Sequence, residues 1–366
     1  MIKVIHLRDS PFVGGPEKQI LGHCVRLDAS RFEPVIASFA RDNPNSFLQE
    51  AMALGLKSES LPDGKLAAPV AAKRLFEVVR DAADCVVIAS GFKADLTAAL
   101  ARVPWIAWFH GYTAATTRVR LYEALDMIAL RRACEVIAVC ERAACQLRAA
   151  GLPRVTVVPN AVDVEAIADG GTRKSARVEL GFRDEPVVGA VSRLSPEKGV
   201  TYFIEAAPIV LAAHPEARFV VVGDGPLGAR VRRRAVALGV GDRVRFVGHR
   251  VDAVRLMRAM DIFVLPSLRE NLPIALLEAM ACGVSVVATD VGGVAEVLHG
   301  TGIAPVDPGS ADAIAASVIR LLGDRALRAD LAAAGTVRVR DYDFGRQVRL
   351  MQGIIARSVG QDVNKM

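Results

Sequence analysis

The chain has 366 residues, more than one hydrophobic core usually serves, so two domains are expected. With 52% hydrophobic and 23% charged residues it has the composition of a packed globular protein, which excludes a disordered one. A net charge of +6 suits phosphorylated ligands or an anionic bilayer, whereas the scatter of the basic residues, without interleaved aromatics, argues against nucleic acid.

The opening segment, Met1-Ile2-Lys3-Val4-Ile5-His6-Leu7-Arg8, is too short and too soon charged for a signal peptide and predicts a strand. Short β-rich runs then alternate with longer helical patterns almost throughout, the signature of βαβ units and parallel sheets. In the first half strands are expected at 2–8, 34–39, 85–89, 104–109, 135–139 and 155–158. In the second half they are expected at 186–192, 217–222, 243–247, 261–265, 284–288 and 301–305. Between the halves, Ala168-Asp169-Gly170-Gly171-Thr172-Arg173-Lys174-Ser175 is small, polar and glycine-rich, which predicts a linker near 165–180. Helical patterns follow at 310–322, 324–334 and 344–358, the last expected to cross back onto the first domain. The division is therefore 1–168, 169–343 and a terminal helix in 344–366, with ligands at strand carboxyl ends in a cleft between the two sheets.

No run reaches the length of a membrane span; Leu272 to Thr289 contains Glu278 and breaks at Gly283. The six cysteines form no Cys-x-x-Cys pair and mostly sit among Ala, Val and Leu, so they read as buried thiols of a reducing compartment. A cytoplasmic or peripheral location is expected.

Glu270 and Glu278 constrain function most. Glu278 sits in a run so apolar that burial is expected, and a buried glutamate needs a partner, here a ligand. Pro273 suits the first turn of a helix and Gly283 its end, placing Glu270 in the preceding loop, with Ile274, Leu277 and Met280 facing inward. Such a helix N-terminus also favours anions. Gly189 to Gly199 leaves a strand and enters a helix, which puts Arg193 and Lys198 where a diphosphate would sit. Gly14-Gly15-Pro16-Glu17 follows the first strand, where backbone N–H groups can approach a phosphate or sugar, or simply make a tight turn. His110, at the end of a buried strand, is open to a structural role as well as a functional one.

Gly223-Asp224-Gly225-Pro226-Leu227-Gly228 fits the dinucleotide fingerprint Gly-x-Gly-x-x-Gly. The acid that should follow the next strand is absent; Gly248, His249 and Arg250 stand there, so a dehydrogenase is disfavoured. The six histidines form no metal-ligand pattern, and Asp341-Tyr342-Asp343 reads as a helix cap.

In order along the chain, Gly14 to Glu17, His110-Gly111, Val158 to Asp163, Arg193 to Gly199, Val222 to Pro226, Phe246 to Gly248, Pro266-Ser267, Glu270 to Gly283 and Gly292 to Val297 resemble glycosyltransferase family four of the GT-B fold. The resemblance implies an α/β chain of two doubly wound Rossmann-like domains facing a central cleft, and a retaining enzyme using a nucleotide-diphosphate sugar, with no metal or other cofactor expected. Arg193 and Lys198 would neutralise the diphosphate, Glu278 hold the ribose, Glu270 hold the transferred sugar and His110 lie against it. Gly14, Gly15, Gly223, Val247, His249, Asn271, Leu272 and Pro273 would complete the donor site, with the base near Phe246 to His249. Family members often have glycine at Asn271 and at Ala161, so the backbone at Asn271 needs a conformation that a side chain tolerates.

The acceptor, a glycan or polyprenyl-linked sugar, is expected against 9–17, 42–46, 62–68 and 110–122. Overlapping the last of these, Arg118 to Arg132 is amphipathic with basic ends, compatible with an ordinary packed helix or with weak contact to an anionic membrane. A sugar-nucleotide epimerase of the same fold and a non-catalytic scaffold are the alternatives.

Overall fold

The structure, a computed structural model, describes residues 1–39, 45–63, 67–80, 84–112 and 117–360. Of the expected acceptor loops, residues 42–44, 64–66 and 113–116 lie outside the described residues. The chain forms two compact units, Met1–Asn160 with Phe344–Met366, and Ala161–Asp343.

The first unit is built on a seven-stranded parallel sheet of β1 (Ile2–Arg8), β2 (Phe32–Phe39), β3 (Lys57–Leu61), β4 (Cys85–Ser90), β5 (Trp105–Phe109), β6 (Glu135–Ala138) and β7 (Val155–Val157). Their spatial order is β3-β2-β1-β4-β5-β6-β7. The central strands read as continuous apolar runs because helices cover both faces, as Cys85 to Ser90 shows by being buried throughout. β3 is the strand that sequence patterning misses: Lys-Ser-Glu-Ser-Leu is a polar edge strand, with Lys57 paired to Glu33 on β2.

The second unit carries β8 (Val187–Val191), β9 (Arg218–Val222), β10 (Val244–Gly248), β11 (Ile262–Leu265) and β12 (Ser285–Ala288), in the order β10-β9-β8-β11-β12 and all parallel. Its core packs Phe203, Ile204 and Val210 against Phe219, Val221, Ile262 and Val264. No strand forms at 301–305, because Gly300 and Gly302 take left-handed φ of 79° and 77°; Val306 alone bridges Thr289.

The expected linker is also corrected. Residues 164–169 and 173–179 are helical, started by Asp163 and Thr172 accepting the N–H groups of Ala166 and Ser175 at 2.9 and 3.1 Å. The division falls at Asn160/Ala161 rather than after 168, because the Val162 N–H donates to the Tyr342 carbonyl at 2.9 Å and Val162 bridges Asp343. Asp341, within the Asp-x-Asp segment, pairs with Arg338 at 2.6 Å.

The last helix, Phe344–Ser358, belongs to the first unit as its sequence anticipates. Gln347 Nε2 donates to Gln19 Oε1 at 3.0 Å and to the Pro159 carbonyl at 2.9 Å. Gly22 is required there, since a Cβ on it would stand 2.3 Å from the Phe344 ring. Among the described residues no helix is long and apolar enough to cross a membrane. All six cysteines are free, but only Cys24, Cys85 and Cys140 are buried; Cys134 and Cys282 are half-buried and Cys145 is exposed, correcting the uniform burial expected.

Beneath this sheet His6 of β1 and His23 of the helix Gly15–Cys24 are both 0% exposed and meet at 5.2 Å between ring centroids, each also against Trp108. Their ring nitrogens have no hydrogen-bond partner among the described residues. Burial therefore keeps both imidazoles neutral, holding His6 well below its ordinary pKa and His23 down to about 3. Above pH 6.5 His23 is neutral folded or unfolded; below it only the unfolded chain takes up the proton, so stability falls between about pH 6.5 and 3. Urea titrations should show wild type losing about 2 kcal/mol more than His23→Leu on going from pH 7.5 to 5. Equal losses in the two proteins would contradict this.

Candidate functional site

In the second unit successive strands are added to one side of β8 and then, after β10, to the other. β8 and β11 therefore lie side by side where the strand order reverses, the position at which open α/β sheets bind ligands. The loops leaving their carboxyl ends carry Arg193 and Lys198 on one side and Glu270 on the other.

Backbone bonds join the two loops. The Glu197 carbonyl accepts from the N–H groups of Leu268 and Arg269 at 2.8 and 3.2 Å. Lys198 Nζ then donates to Glu270 Oε1 at 2.6 Å, and Ser267 Oγ donates to the same oxygen at 2.8 Å. The Glu270 side chain is only 9% exposed and that of Lys198 26%. Both donors sit on Oε1, which leaves Glu270 Oε2 without a hydrogen bond from the described residues.

Arg193 is not drawn into this pair. Its side chain is 58% exposed, donating through Nη2 to Glu197 Oε1 at 2.7 Å and through Nε to Ser195 Oγ at 3.3 Å. Burial works against the Glu197 carboxylate, but the Ser195 hydroxyl and Arg193 guanidinium hold its pKa below the ordinary value. Each predicted cation thus has a carboxylate partner from its own or the neighbouring loop.

Two glycines make the approach of these loops possible. Gly199 has φ +60°, and a Cβ there would stand 2.0 Å from the Pro266 carbonyl oxygen. Gly292 has φ +56°, and a Cβ there would meet the carbonyl oxygens of Glu270 and Asn271 at 2.3 and 2.4 Å. Asn271 does not have positive φ; its carbonyl accepts from the Gly293 N–H at 2.5 Å, so the unusual backbone lies at Gly292 instead.

The helix Ile274–Ala281 starts after Pro273, which occupies the N-cap position, and no side chain caps it. Leu272 is buried beneath the loop, and Leu276, Leu277 and Met280 form the inward face. Ile274 and Glu278 fall on the other face and are half-buried. The apolar run around Glu278 is therefore a misleading signal: the residue is half-buried, not buried.

Gly223 and Gly225 serve loop packing. A Cβ on either would stand 1.9 Å from the Ser192 carbonyl oxygen or 2.6 Å from that of Leu194. The Gly223 N–H donates to the Gly248 carbonyl at 2.7 Å, beside the irregularity that leaves Val247 half-buried and unregistered in β10; His249 beyond it is exposed.

In the first unit the order reverses between β1 and β4. Gly15 opens the helix and Gly14 caps it, but the Gly14 N–H already donates to Glu17 Oε2 at 2.9 Å. Glu17, 1% exposed, also pairs through Oε1 with Arg8 Nε at 2.5 Å, and Arg8 Nη1 reaches the Ser90 carbonyl at 3.2 Å. His110 meets Trp108 at 5.1 Å between ring centroids with the planes tilted by 33°; burial, then the nearby Arg8 charge, holds its pKa well below the ordinary value, so it is neutral.

Glu17, Glu197 and Ser267 lie inside the sequence motifs without a signal of their own roles, and Arg8 lies outside those motifs. Each supports a predicted residue, and the only local signal for the first three was their place within those motifs.

Two parallel sheets, each with polar side chains gathered where its strand order reverses, define a doubly wound, Rossmann-like α/β architecture. Residues 172–338 match the family model "Glycosyl transferases group 1" and residues 14–161 match "Glycosyl transferase 4-like domain". The chain belongs to this glycosyltransferase family, the type-four group of the GT-B fold. It is 36% identical over 200 residues to a GDP-mannose-dependent monoacylated alpha-(1-6)-phosphatidylinositol monomannoside mannosyltransferase of Corynebacterium glutamicum, covering 51% of this chain and 52% of that one. It is 34% identical over 215 residues to a 2-deoxystreptamine glucosyltransferase of Streptomyces kanamyceticus, covering 56% of each. The chain thus spans about half the length of the curated relatives it matches. The Anabaena protein HepE, solved in complex with UDP-glucose, shares the fold with a TM-score of 0.85 and 22% identity, over 97% of this chain and 99% of that one.

Proposed function

We propose that this chain is a retaining glycosyltransferase. It moves a hexose-type sugar from a nucleotide-diphosphate sugar to a hydroxyl of a glycan or lipid-linked acceptor, in bacterial polysaccharide or glycoconjugate synthesis. The observation that carries the reading is the 2.6 Å contact between Lys198 and Glu270 at the β8–β11 junction, which sets a cation for a diphosphate beside a carboxylate for sugar hydroxyls. The names of the Corynebacterium relative, with GDP-mannose, and of the HepE complex, with UDP-glucose, support such a donor.

The chemistry follows from where charge develops. As the anomeric C–O bond breaks, its electron pair passes to the diphosphate oxygen and positive charge builds on the sugar. Arg193, Lys198 and the uncapped N-terminus of the helix at Ile274 would stabilise the departing anion without reorganising. The acceptor oxygen bonds to the same face of the sugar and gives its proton to the leaving phosphate. Glu270 would orient the sugar through Oε2, and His110, held neutral, would act as an uncharged ring. No covalent nucleophile is assigned, and the cations take the part that a metal plays in other transferases.

A peripheral contact with the cytoplasmic face of an anionic membrane is part of the reading. Leu121, Leu125 and Ile128 of the helix Thr117–Leu130 are 60%, 43% and 58% exposed and follow one helical stripe, with Arg131 and Arg132 exposed just beyond. The protein should float with anionic vesicles at low salt and leave them at high salt; absence of binding at low salt would reject the contact.

Arg193→Ala and Lys198→Ala should each lower kcat by about 10²–10³-fold, the loss seen when one preorganised oxyanion donor is removed. EDTA should leave the wild-type rate unchanged. Steady-state rates within a few-fold of wild type for both variants would sink the assignment.

A further inference from the structure

The first unit holds a group of ionisable side chains that the proposed chemistry does not use. Asp95 rises from the first turn of the helix Phe92–Ala101 and Asp126 from the helix Thr117–Leu130, two helices packed against each other. The two residues are 3% and 1% exposed, and their carboxyls lie within hydrogen-bonding reach of one another. The Tyr112 phenol donates to Asp126 Oδ2 at 2.8 Å, while its ring meets Phe109 edge-on at 4.8 Å. Oδ1 of each aspartate has no hydrogen-bond partner among the described residues. The charged and titratable groups that face the pair are Arg8 from β1, Glu123 from the Asp126 helix, and Tyr112 itself.

Proton counting fixes the state of this group. Ionised carboxylates only accept, so two of them hydrogen-bond to each other only when one keeps a proton. Tyr112 has a single O–H and spends it on Asp126. With Asp95 protonated, its O–H and that of Tyr112 both point to the Asp126 carboxylate, and each bond has one donor.

We propose that Asp95 and Asp126 hold one shared proton at neutral pH and act as positioning residues for Tyr112, fixing the His110-Gly111-Tyr112 turn that follows β5. Neither aspartate touches a ligand, because both are enclosed. Half-buried Tyr112 is the member that reaches the surface, two residues from His110. The direction of titration agrees: burial, and then the neighbouring Asp126, push Asp95 well above the ordinary carboxylate range, and burial raises Asp126 as well.

The proton is tested by infrared difference spectroscopy at pH 7. Wild type minus Asp95→Asn should show a protonated-carboxyl band, because asparagine donates to Asp126 in place of the acid and leaves it ionised. Absence of that band overturns the shared proton. Positioning is tested by amide hydrogen exchange: in Tyr112→Phe, which removes one oxygen and keeps the ring, residues 108–112 should exchange about tenfold faster, with residues 193–199 unchanged. Unchanged exchange at 108–112 overturns the positioning role. Both readouts are independent of turnover. The one consequence that rests on the transferase reading is that Tyr112→Phe raises the acceptor KM and leaves the donor KM alone. A wild-type protein that transfers nothing would refute that reading while the spectra still decided the pair.

Discussion

The junction between the β8 and β11 loops is the constraint on which the proposed site depends. The Glu197 carbonyl receives two N–H groups from the loop opposite, which fixes the backbone, and Lys198 on Glu270 then fixes the side chains. Both loops could not come so close if Gly199 or Gly292 carried a Cβ, since each would run into backbone oxygens. Such a non-glycine residue at left-handed φ costs about 1–3 kcal/mol before the clash is counted. The positions of Lys198 and Glu270 follow from this one set of contacts.

The charges at the junction are balanced pair by pair. Arg193 rests on Glu197 and Lys198 on Glu270, so neither cation stands alone in the partly enclosed site. Removing one partner would leave an uncompensated charge, the costly outcome for enclosed ion pairs, whereas an arriving diphosphate supplies a second anion to the same donors. Glu270 can keep Lys198 on Oε1 and offer Oε2 to a hydroxyl. A carboxylate shared in this way would link the position of the sugar to the cation that holds its leaving group.

Most of the fold was legible because a doubly wound sheet writes its central strands as apolar runs. The errors came where that code fails. The strand at 57–61 is polar because it is an edge, and 301–305 reads as apolar although two glycines turn it away from strand geometry. The segment at 168–175 has linker composition, yet Thr172 caps a helix within it. At the site, the placement of Arg193, Lys198 and Glu270 in the loops after β8 and β11 was legible because each follows a predicted strand. The burial of Glu278 was misjudged because an apolar run does not say which face of a helix is inside. Asp95 and Asp126 left no local signal, being brought together only by the packing of two helices.

The central claim is that the β8–β11 junction binds a nucleoside diphosphate through Lys198. The direct measurement is thermal unfolding of wild type and Lys198→Ala with UDP, GDP, ADP, their sugar conjugates and NAD. A ligand at about 100 times its Kd adds about 2.7 kcal/mol to folding, a rise of several degrees in Tm. One nucleoside diphosphate and its sugar conjugate should stabilise wild type without added metal, and Lys198→Ala should lose most of the shift. Stabilisation by NAD alone, or an equal shift in the variant, would contradict it.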